Sequence, residues 1–456
     1  MAQITVKYDP ALKIEEIEDP MYATSEEESN DRPAEVQQTK IVGILTPLIK
    51  VNKVNIMFDK VRRFELDSTG LLPTLTFTFK DDMGFIKSLD IPNADNLVLL
   101  KILPPFDDAY KKINLRFFIE NVKINNDLIT ITAKYNVPDL YQYQLKSFGN
   151  ITSYDFLDKV ATECKLGYAS NVDGTQDALY RYIRNTNYAT SIGNEIKRSG
   201  NETCILDTWI DFRNYLVLCD MYERFNAIDN DLKVWVAPTS IPQTETGTEI
   251  VPKDVDAIIS NGVEYRNSQL YTTNYTVHNS PGSSIKSGTD KVLESYSTGV
   301  NESSGQLVQD GDVKKDTFVK SVYMGELFGE YDYFSAEVCR LSYMQKIYSN
   351  TIEVSLATPV LGLERGQRVN FKWYESNTVL QYVKKDSDIE TNIPISDDEN
   401  EKALNSNGED MILNKQVSGQ YLIIGTKIQF LGFAKGWNYT LILSRPNTNK
   451  KSYVQS

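Results

Sequence analysis

Short alternating segments recur along this chain, and they confine it to a fold built mainly of β-sheet. Leu75-Thr-Phe-Thr-Phe-Lys places an apolar side chain at every second position, the period of a strand with one buried face. Before it come Ile41-Val-Gly-Ile-Leu-Thr-Pro-Leu-Ile, Val54-Asn-Ile-Met-Phe and Val61-Arg-Arg-Phe-Glu-Leu. After it come Leu97-Val-Leu-Leu-Lys-Ile, Leu115-Arg-Phe-Phe-Ile-Glu and Leu128-Ile-Thr-Ile-Thr-Ala. Asn125-Asn-Asp, just before the last of these, is a hairpin turn signal. Strands at this spacing predict one compact barrel or sandwich over residues 39–145. The 27 Tyr and 18 Phe point the same way, because aromatic side chains fit a pleated, half-buried surface.

The period then changes from 2 to 3.6. Phe156, Leu157, Val160, Ala161 and Cys164 form one apolar stripe, and Thr152 or Ser153 is placed to cap the helix that carries it. Asp155 stands at the positive end of the helix dipole, and Gly167 is placed to stop the helix in a left-handed conformation. Tyr188 to Gly200 predicts a second short helix with Ile192 and Ile196 one turn apart. Thr208-Trp-Ile-Asp-Phe-Arg-Asn-Tyr-Leu-Val-Leu-Cys-Asp-Met returns to strand character. Residues 146–236 therefore read as a helix-containing insertion in β sequence.

Residues 237–335 are rich in Ser, Thr and Gly and read as a loop-rich domain, with Asn279-Ser-Pro-Gly-Ser-Ser its sharpest turn signal. Residues 336–446 carry a second β set: Thr351-Ile-Glu-Val-Ser-Leu, Arg368-Val-Asn-Phe-Lys-Trp-Tyr, Gly419 to Phe430 and Trp437 to Arg445. Ala336 to Lys346 predicts a helix ahead of them, and an acidic loop at about 378–411 interrupts them. Residues 1–38 hold nine carboxylates between Glu15 and Glu35 and read as an extended acidic arm, which either stays solvated or orders on a neighbouring subunit. Residues 447–456 form a tail.

Of 456 residues, 62 are Asp or Glu against 48 Lys or Arg, a net charge of −14. That balance argues against nucleic acid as an attracted ligand and admits it as a repelled passenger. No apolar run is long enough to span a bilayer and no secretion signal opens the chain, so assembly in a cytoplasm without membrane insertion is expected. Cys164, Cys204, Cys219 and Cys339 lie far apart, without metal or redox spacing, and read as structural thiols.

His278 is the one histidine, beside a turn signal and poorly placed for a triad. Asp107-Asp108 and Asp397-Asp398-Glu399 are chance carboxylate pairs of an acidic chain, better read as solvated loop charges than as the acid and nucleophile of a glycosidase. No catalytic, cofactor-binding or metal-ligating residue is therefore assigned, no cofactor is expected, and the chain is expected not to be an enzyme.

Six segments, in their order, resemble the baseplate hub proteins of bacteriophage tails, the family of the T4-type hub and the late-control tail proteins. They are Pro47-Leu-Ile-Lys-Val-Asn, Pro73-Thr-Leu-Thr-Phe-Thr-Phe-Lys-Asp-Asp, the helix Tyr154 to Gly167, Leu206-Asp-Thr-Trp-Ile-Asp-Phe-Arg-Asn-Tyr-Leu, Leu363-Glu-Arg-Gly-Gln-Arg-Val-Asn-Phe and Ser418-Gly-Gln-Tyr-Leu-Ile-Ile-Gly-Thr-Lys-Ile. The resemblance covers residues 39 to 446 and implies two tail-tube-like β-barrels with smaller inserted domains. It also implies a trimer whose six barrels imitate a hexameric tube layer, tail tube protein above, and a spike or needle below. Further partners would be other baseplate or tail proteins and a tape measure protein, with DNA as passing cargo and the virion as the location. The competing expectation is a virion-borne or secreted carbohydrate-binding or glycan-cleaving β protein, which would expose its aromatics in one groove.

Overall fold

The computed structural model describes residues 3–14, 47–52, 54–81, 84, 96–102, 113–196, 199, 206–226, 233–236, 259–267, 272–278, 317–323, 350–356, 363–372, 374–376, 402–404, 410–413, 418–431 and 437–445. Strand β1 (Thr5–Tyr8) comes first in the chain. The first strand set follows: β2 (Pro47–Val51), β3 (Val54–Ile56), β4 (Val61–Asp67), β5 (Thr74–Lys80), β6 (Leu97–Ile102), β7 (Ile113–Asn125) and β8 (Leu128–Tyr135). The insertion comprises α1 (Pro138–Tyr141), β9 (Gln144–Ile151), α2 (Ser153–Glu163), β10 (Gly167–Ser170), β11 (Leu179–Thr186), α3 (Tyr188–Ile196), β12 (Leu206–Ile210), β13 (Tyr215–Asp220) and α4 (Met221–Asn226). The remaining described elements are strands: β14 (Lys233–Val236), β15 (Ile259–Asn267), β16 (Thr272–His278), β17 (Thr317–Tyr323), β18 (Asn350–Leu356), β19 (Arg368–Lys372), β20 (Tyr374–Ser376), β21 (Lys402–Leu404), β22 (Asp410–Leu413), β23 (Gly419–Phe430) and β24 (Trp437–Arg445).

The protein is mainly β, and among the described residues its α-helices lie in the insertion. Both strand sets lie in one sheet of 13 strands, in the order β15-β18-β24-β23-β4-β5-β8-β7-β6-β2-β3, with β19 beside β23 and β14 beside β19. Within it one five-strand pattern occurs twice. Strands β4 to β8 stand in the spatial order β4-β5-β8-β7-β6, and β15, β18, β19, β23 and β24 stand as β15-β18-β24-β23-β19. In both, the chain visits first, second, third, fourth and fifth strand, the fifth lies between second and fourth, and every neighbouring pair is antiparallel. The flanking strands differ: β2 runs antiparallel to β6, whereas β14 runs parallel to β19.

Alternation in sequence becomes alternation in burial. In β5, Leu75, Phe77 and Phe79 are buried and the threonines between them half-buried. The β7–β8 hairpin turns at Asn126-Asp127 with Asn126 at φ 56°, a left-handed position that asparagine tolerates. One apolar cluster runs from Ile49 in β2 through Phe156 and Leu157 of α2 to Leu441 and Leu443 of β24.

Helix α2 starts as its sequence predicts, with the Thr152 Oγ1 accepting from the Asp155 N–H at 3.1 Å. Its left-handed stop comes two residues before the predicted glycine. Lys165 takes the left-handed conformation at φ 59°, its N–H bonds Thr162 O, and the Leu166 N–H reaches back to Ala161 O at 2.9 Å. That is a Schellman closure built on lysine. Gly167 instead opens β10, where the ring of Tyr215 stands so near that a Cβ would lie 2.4 Å from it. The residue is glycine for a close approach of chains, not for a positive φ.

Strand pairings add three observations to the expected organisation. Thr5–Tyr8, at the head of the expected arm, is a strand paired antiparallel with β10 of its own chain, and residues 15–46 lie outside the described residues. The pairing runs across the boundary expected at 336, because β15 finds its partner β18 beyond it and β14 pairs with β19. The acidic loop contributes β21 and β22, which form a small antiparallel sheet with β20. The helix expected at Ala336 to Lys346 lies outside the described residues. Among the described residues no helix is long and apolar enough to cross a membrane.

Candidate assembly surface

The densest polar constellation lies inside the insertion. The Asp177 carboxylate accepts from the Ser153 N–H at 3.0 Å, from Thr175 Oγ1 at 2.5 Å and from the Ser153 hydroxyl. Arg181 sends Nε to Glu195 at 2.7 Å and Nη2 to Ser153 Oγ at 3.0 Å and to the Asp177 carbonyl at 2.9 Å. The Ser153 hydroxyl also stands 2.7 Å from Glu195, and a hydroxyl between two carboxylates resembles an activated nucleophile, but Ser153 and Asp177 are both 0% exposed. No substrate reaches that oxygen. The cluster ties the start of α2 to β11 and α3, with Asp177 at the positive end of the helix.

His278 is the last residue of β16, level with Tyr323 in a parallel pair with β17. Asp107-Asp108 and Asp397-Asp398-Glu399 lie outside the described residues, as do Cys204 and Cys339. Cys164 and Cys219 are buried free thiols, and burial pushes the Cys164 thiol up to about 12. Among the described residues no group of three or more His, Cys, Asp or Glu could hold a metal ion.

What the chain does build is a set of joints. Strand β23 breaks register between Ile423 and Gly425; before the break it pairs with β19, and beyond it with β4, with Lys427 level with Asp67, Ile428 with Leu66 and Gln429 with Glu65. Lys427 Nζ lies 3.5 Å from Asp67, Gln429 Nε2 donates to Glu65 at 2.9 Å, and the Ser68 N–H continues the ladder to Thr426 O. At the break only glycine fits, because a Cβ on Gly425 would meet Thr69 at 2.8 Å. A second joint centres on Arg365. Its guanidinium bonds Asp207 of β12 at 2.7 Å and the Gly70 carbonyl at 2.9 Å, and lies 4.7 Å over the Trp209 ring. Beside it the Arg224 Nε donates to the Gly366 carbonyl at 2.8 Å. One turn thus fastens both strand sets to the insertion.

The insertion also presents an apolar face. Strands β9 and β11 pair antiparallel. On one side Phe148 packs edge-on against Phe156 of α2. On the other, Leu145, Tyr180 and Tyr182 are 84%, 69% and 66% exposed, with exposed Tyr143 at the edge.

No protein-family model matches this sequence, and no curated protein matches it. Solved structures do. A 43 kDa tail protein of prophage MuSo2 from Shewanella oneidensis matches with a TM-score of 0.50 and 10% identity, over 88% of this chain and 98% of that one. The chain has the fold of a phage tail protein. A tail protein from Neisseria meningitidis MC58 matches over 88% and 97% of the two chains, with TM-score 0.47 and 7% identity. A component of the type VI secretion system of E. coli matches over 88% and 77%, with TM-score 0.39 and 9% identity.

Within this tail-protein fold, the segments that carried the family resemblance fall on the joints. Leu363 to Phe371 is the Arg365 turn running into β19, Ser418 to Ile428 is β23 up to its pairing with β4, and Leu206 to Leu216 brings Asp207 and Trp209. Sequence reasoning did not single out Arg365, Asp207 or the exposed tyrosines. The alternation of Leu179-Tyr-Arg-Tyr-Ile could have shown that Tyr180 and Tyr182 share a face opposite Arg181 and Ile183. Nothing local announces that Arg365 finds a partner 158 residues away.

Proposed function

We propose that this chain is a structural component of a phage tail: a baseplate hub that seeds the tail tube, joins it to a spike or needle and forms part of the channel through which DNA leaves. The observation that carries this reading is the repeated five-strand pattern, joined through β23 and β4 into one sheet. One polypeptide with two similar sheet units lets a ring of three chains show six near-equivalent faces, so threefold and sixfold parts can meet. The tail-protein fold supports the same reading.

In this reading the partners are two further copies of the chain, tube protein above, spike protein below, and neighbouring baseplate and tape measure proteins. The particle is assembled in the host cytoplasm and resides in the virion. The chain performs no catalysis. A net charge of −14 suits a channel wall, since like charge removes the Lys and Arg contacts that would hold passing phosphates. The test is the mass in solution together with tube assembly. A compact ring of three copies that seeds polymerisation of its cognate tube protein is expected, and a monomer that seeds nothing would overturn the proposal.

The exposed Tyr143, Tyr180 and Tyr182 favour a second reading, a carbohydrate-binding surface, because exposed aromatic rings stack on sugars. Replacing Tyr180 and Tyr182 with Ala separates the two. Loss of binding to host glycans with assembly intact supports the sugar surface; loss of a tail partner with glycan binding absent throughout supports the hub.

A further inference from the structure

The two repeats differ in what stands beside their fourth strand. In the second repeat the part of β23 beyond its register break is covered by β4. In the first, β7 pairs with β6 only through Phe118, breaks register between Ile119 and Asn121, and beyond the break no described strand covers that edge. The two breaks are one structural point. The Ile119 N–H donates to Asn96 O, the residue before β6, at 3.1 Å, and the Ile423 N–H donates to Gln367 O, the residue before β19, at 2.9 Å. Counted from there, Lys123, Ile124 and Asn125 correspond to Lys427, Ile428 and Gln429.

The first strands map in the same way. The pairings of β5 with β4 and β8, set against those of β18 with β15 and β24, make Asp67, Leu66 and Glu65 correspond to Arg266, Tyr265 and Glu264. Among the described residues β15 has one strand neighbour, β18, whereas its counterpart β4 has two. Each repeat therefore holds half of a strand pair whose complete form is the joint between β23 and β4.

We propose that the open edge of β7 at Lys123–Asn125 pairs antiparallel with β15 of a second copy of this chain. Lys123 stands level with the partner's Arg266, Ile124 with the partner's Tyr265, and Asn125 with the partner's Glu264. Exposure follows the mapping. Ile124 is 58% exposed where its counterpart Ile428 is 0%, and Leu128 is 37% exposed where its counterpart Asn438 is 7%. An uncovered strand edge with exposed apolar side chains is a template for pairing. Each chain carries one of each edge, so the contact runs head to tail and closes into a ring when the rotation permits. That the ring holds three copies rests on the hub reading; the strand pair does not. The mapping also places Lys123 level with a like charge, where the internal joint sets Lys427 against Asp67.

The test is a cysteine pair, Lys123→Cys with Arg266→Cys, in the full chain with Cys204 and Cys339 changed to Ser. The Ser68 to Thr426 bond makes the level pair Asp67 and Lys427 a non-hydrogen-bonded one, and such pairs have Cα atoms about 4.5 Å apart, within disulfide reach. Mild oxidation is expected to link copies through residues 123 and 266 into a closed trimer, while Asn121→Cys with Arg266→Cys, two residues out of register, stays unlinked. Arg266→Asp restores the charge pair of the internal joint and is expected to tighten association by about two- to fivefold per contact. A trimer without the 123–266 link overturns the strand pair and leaves the hub reading standing. Linked chains in an open series support the pair and overturn the ring, and a chain that stays monomeric and unlinked overturns both.

Discussion

Ile124 and Ile428 occupy matching points of the two strand repeats, yet Ile428 is sealed beside β4 while Ile124 is 58% exposed. The same residue type in the same local geometry thus meets two environments, and the two substitutions give different results. Ile428→Ala leaves a cavity in the joint and lowers stability by about 2–5 kcal/mol. Ile124→Ala shifts the stability of the isolated chain by no more than about 0.5 kcal/mol and weakens self-association. Urea unfolding of both variants, with sedimentation of the second, checks the pair.

Arg365 joins three parts of the chain through a fork and a flat face, which lysine lacks. Arg365→Ala removes the cation that lies 2.7 Å from Asp207, at a cost of roughly 3 kcal/mol, whereas Arg365→Lys keeps the charge and loses the fork and the stacked face. Because the guanidinium lies over Trp209, the indole emission changes in both variants before global unfolding. An Arg365→Lys variant with unaltered emission and midpoint would show that a point charge suffices.

The buried knot of Ser153, Asp177, Arg181 and Glu195 acts on folding. Asp177→Ala strips Arg181 of the carboxylate that lies 3.4 Å from its Nη2 in a closed interior and costs about 3–5 kcal/mol. Ser153→Ala removes a donor to the buried Asp177 carboxylate and costs about 1–3 kcal/mol. Denaturant midpoints decide this, and an Asp177→Ala chain as stable as its parent would contradict it.

The docking of β1 depends on pH at both extremes. Lys7 and Asp173 pair at 2.9 Å; that hydrogen bond raises the lysine above its ordinary 10.5 and lowers the carboxyl below its ordinary 3.8. Burial pushes the Tyr8 phenol from 10.0 to about 12, and its hydroxyl donates to Asp158 O at 3.0 Å. A depressed acid stabilises above its unfolded value and loses that contribution as pH falls through the folded one. A raised phenol or lysine stabilises below its unfolded value and loses it as pH rises. The contribution of these three groups to docking is therefore full between about 3.8 and 10.0 and declines outside. A spin label on Val6→Cys, 54% exposed at the wild-type residue, reports it: immobile through neutral pH and progressively loosened as pH rises from 10 through about 12. Release near pH 8 would be inconsistent with these groups.

Cys164 and Cys219 sit in the core as uncharged thiols. With Cys204 and Cys339 changed to Ser, the native chain is expected to react with aromatic disulfide reagents only at the rate at which it unfolds, since the thiolate is the nucleophile. Rapid labelling of either thiol in the native state would place it in an open cleft.

Local features were legible in the sequence, and long-range ones were not. The stripe of α2 and its Thr152 cap, the Asn126 turn and the alternation of β5 depend on residues within one turn or one strand. Gly167 misled because a glycine after a helix has two explanations, and only the position of Tyr215 in space decides between them. The place of β1 on β10, the parallel pairing of β10 with β13 and the partners of β14 and β15 join residues far apart in sequence, which periodicity does not encode. The joint between β23 and β4 was hidden for the same reason. Ser418 to Ile428 reads as an apolar strand, but nothing in it says that its second half changes neighbours at Gly425.

In the proposed hub, two matching sheet units in one chain let three copies present a sixfold face. Electron cryo-microscopy of the purified assembly tests it most directly. A threefold ring of six similar sheet units around an open channel is expected, alternating between the β4–β8 unit and the unit of β15, β18, β19, β23 and β24. A twofold dimer, or a ring in which only one of the two units faces the channel, would contradict it.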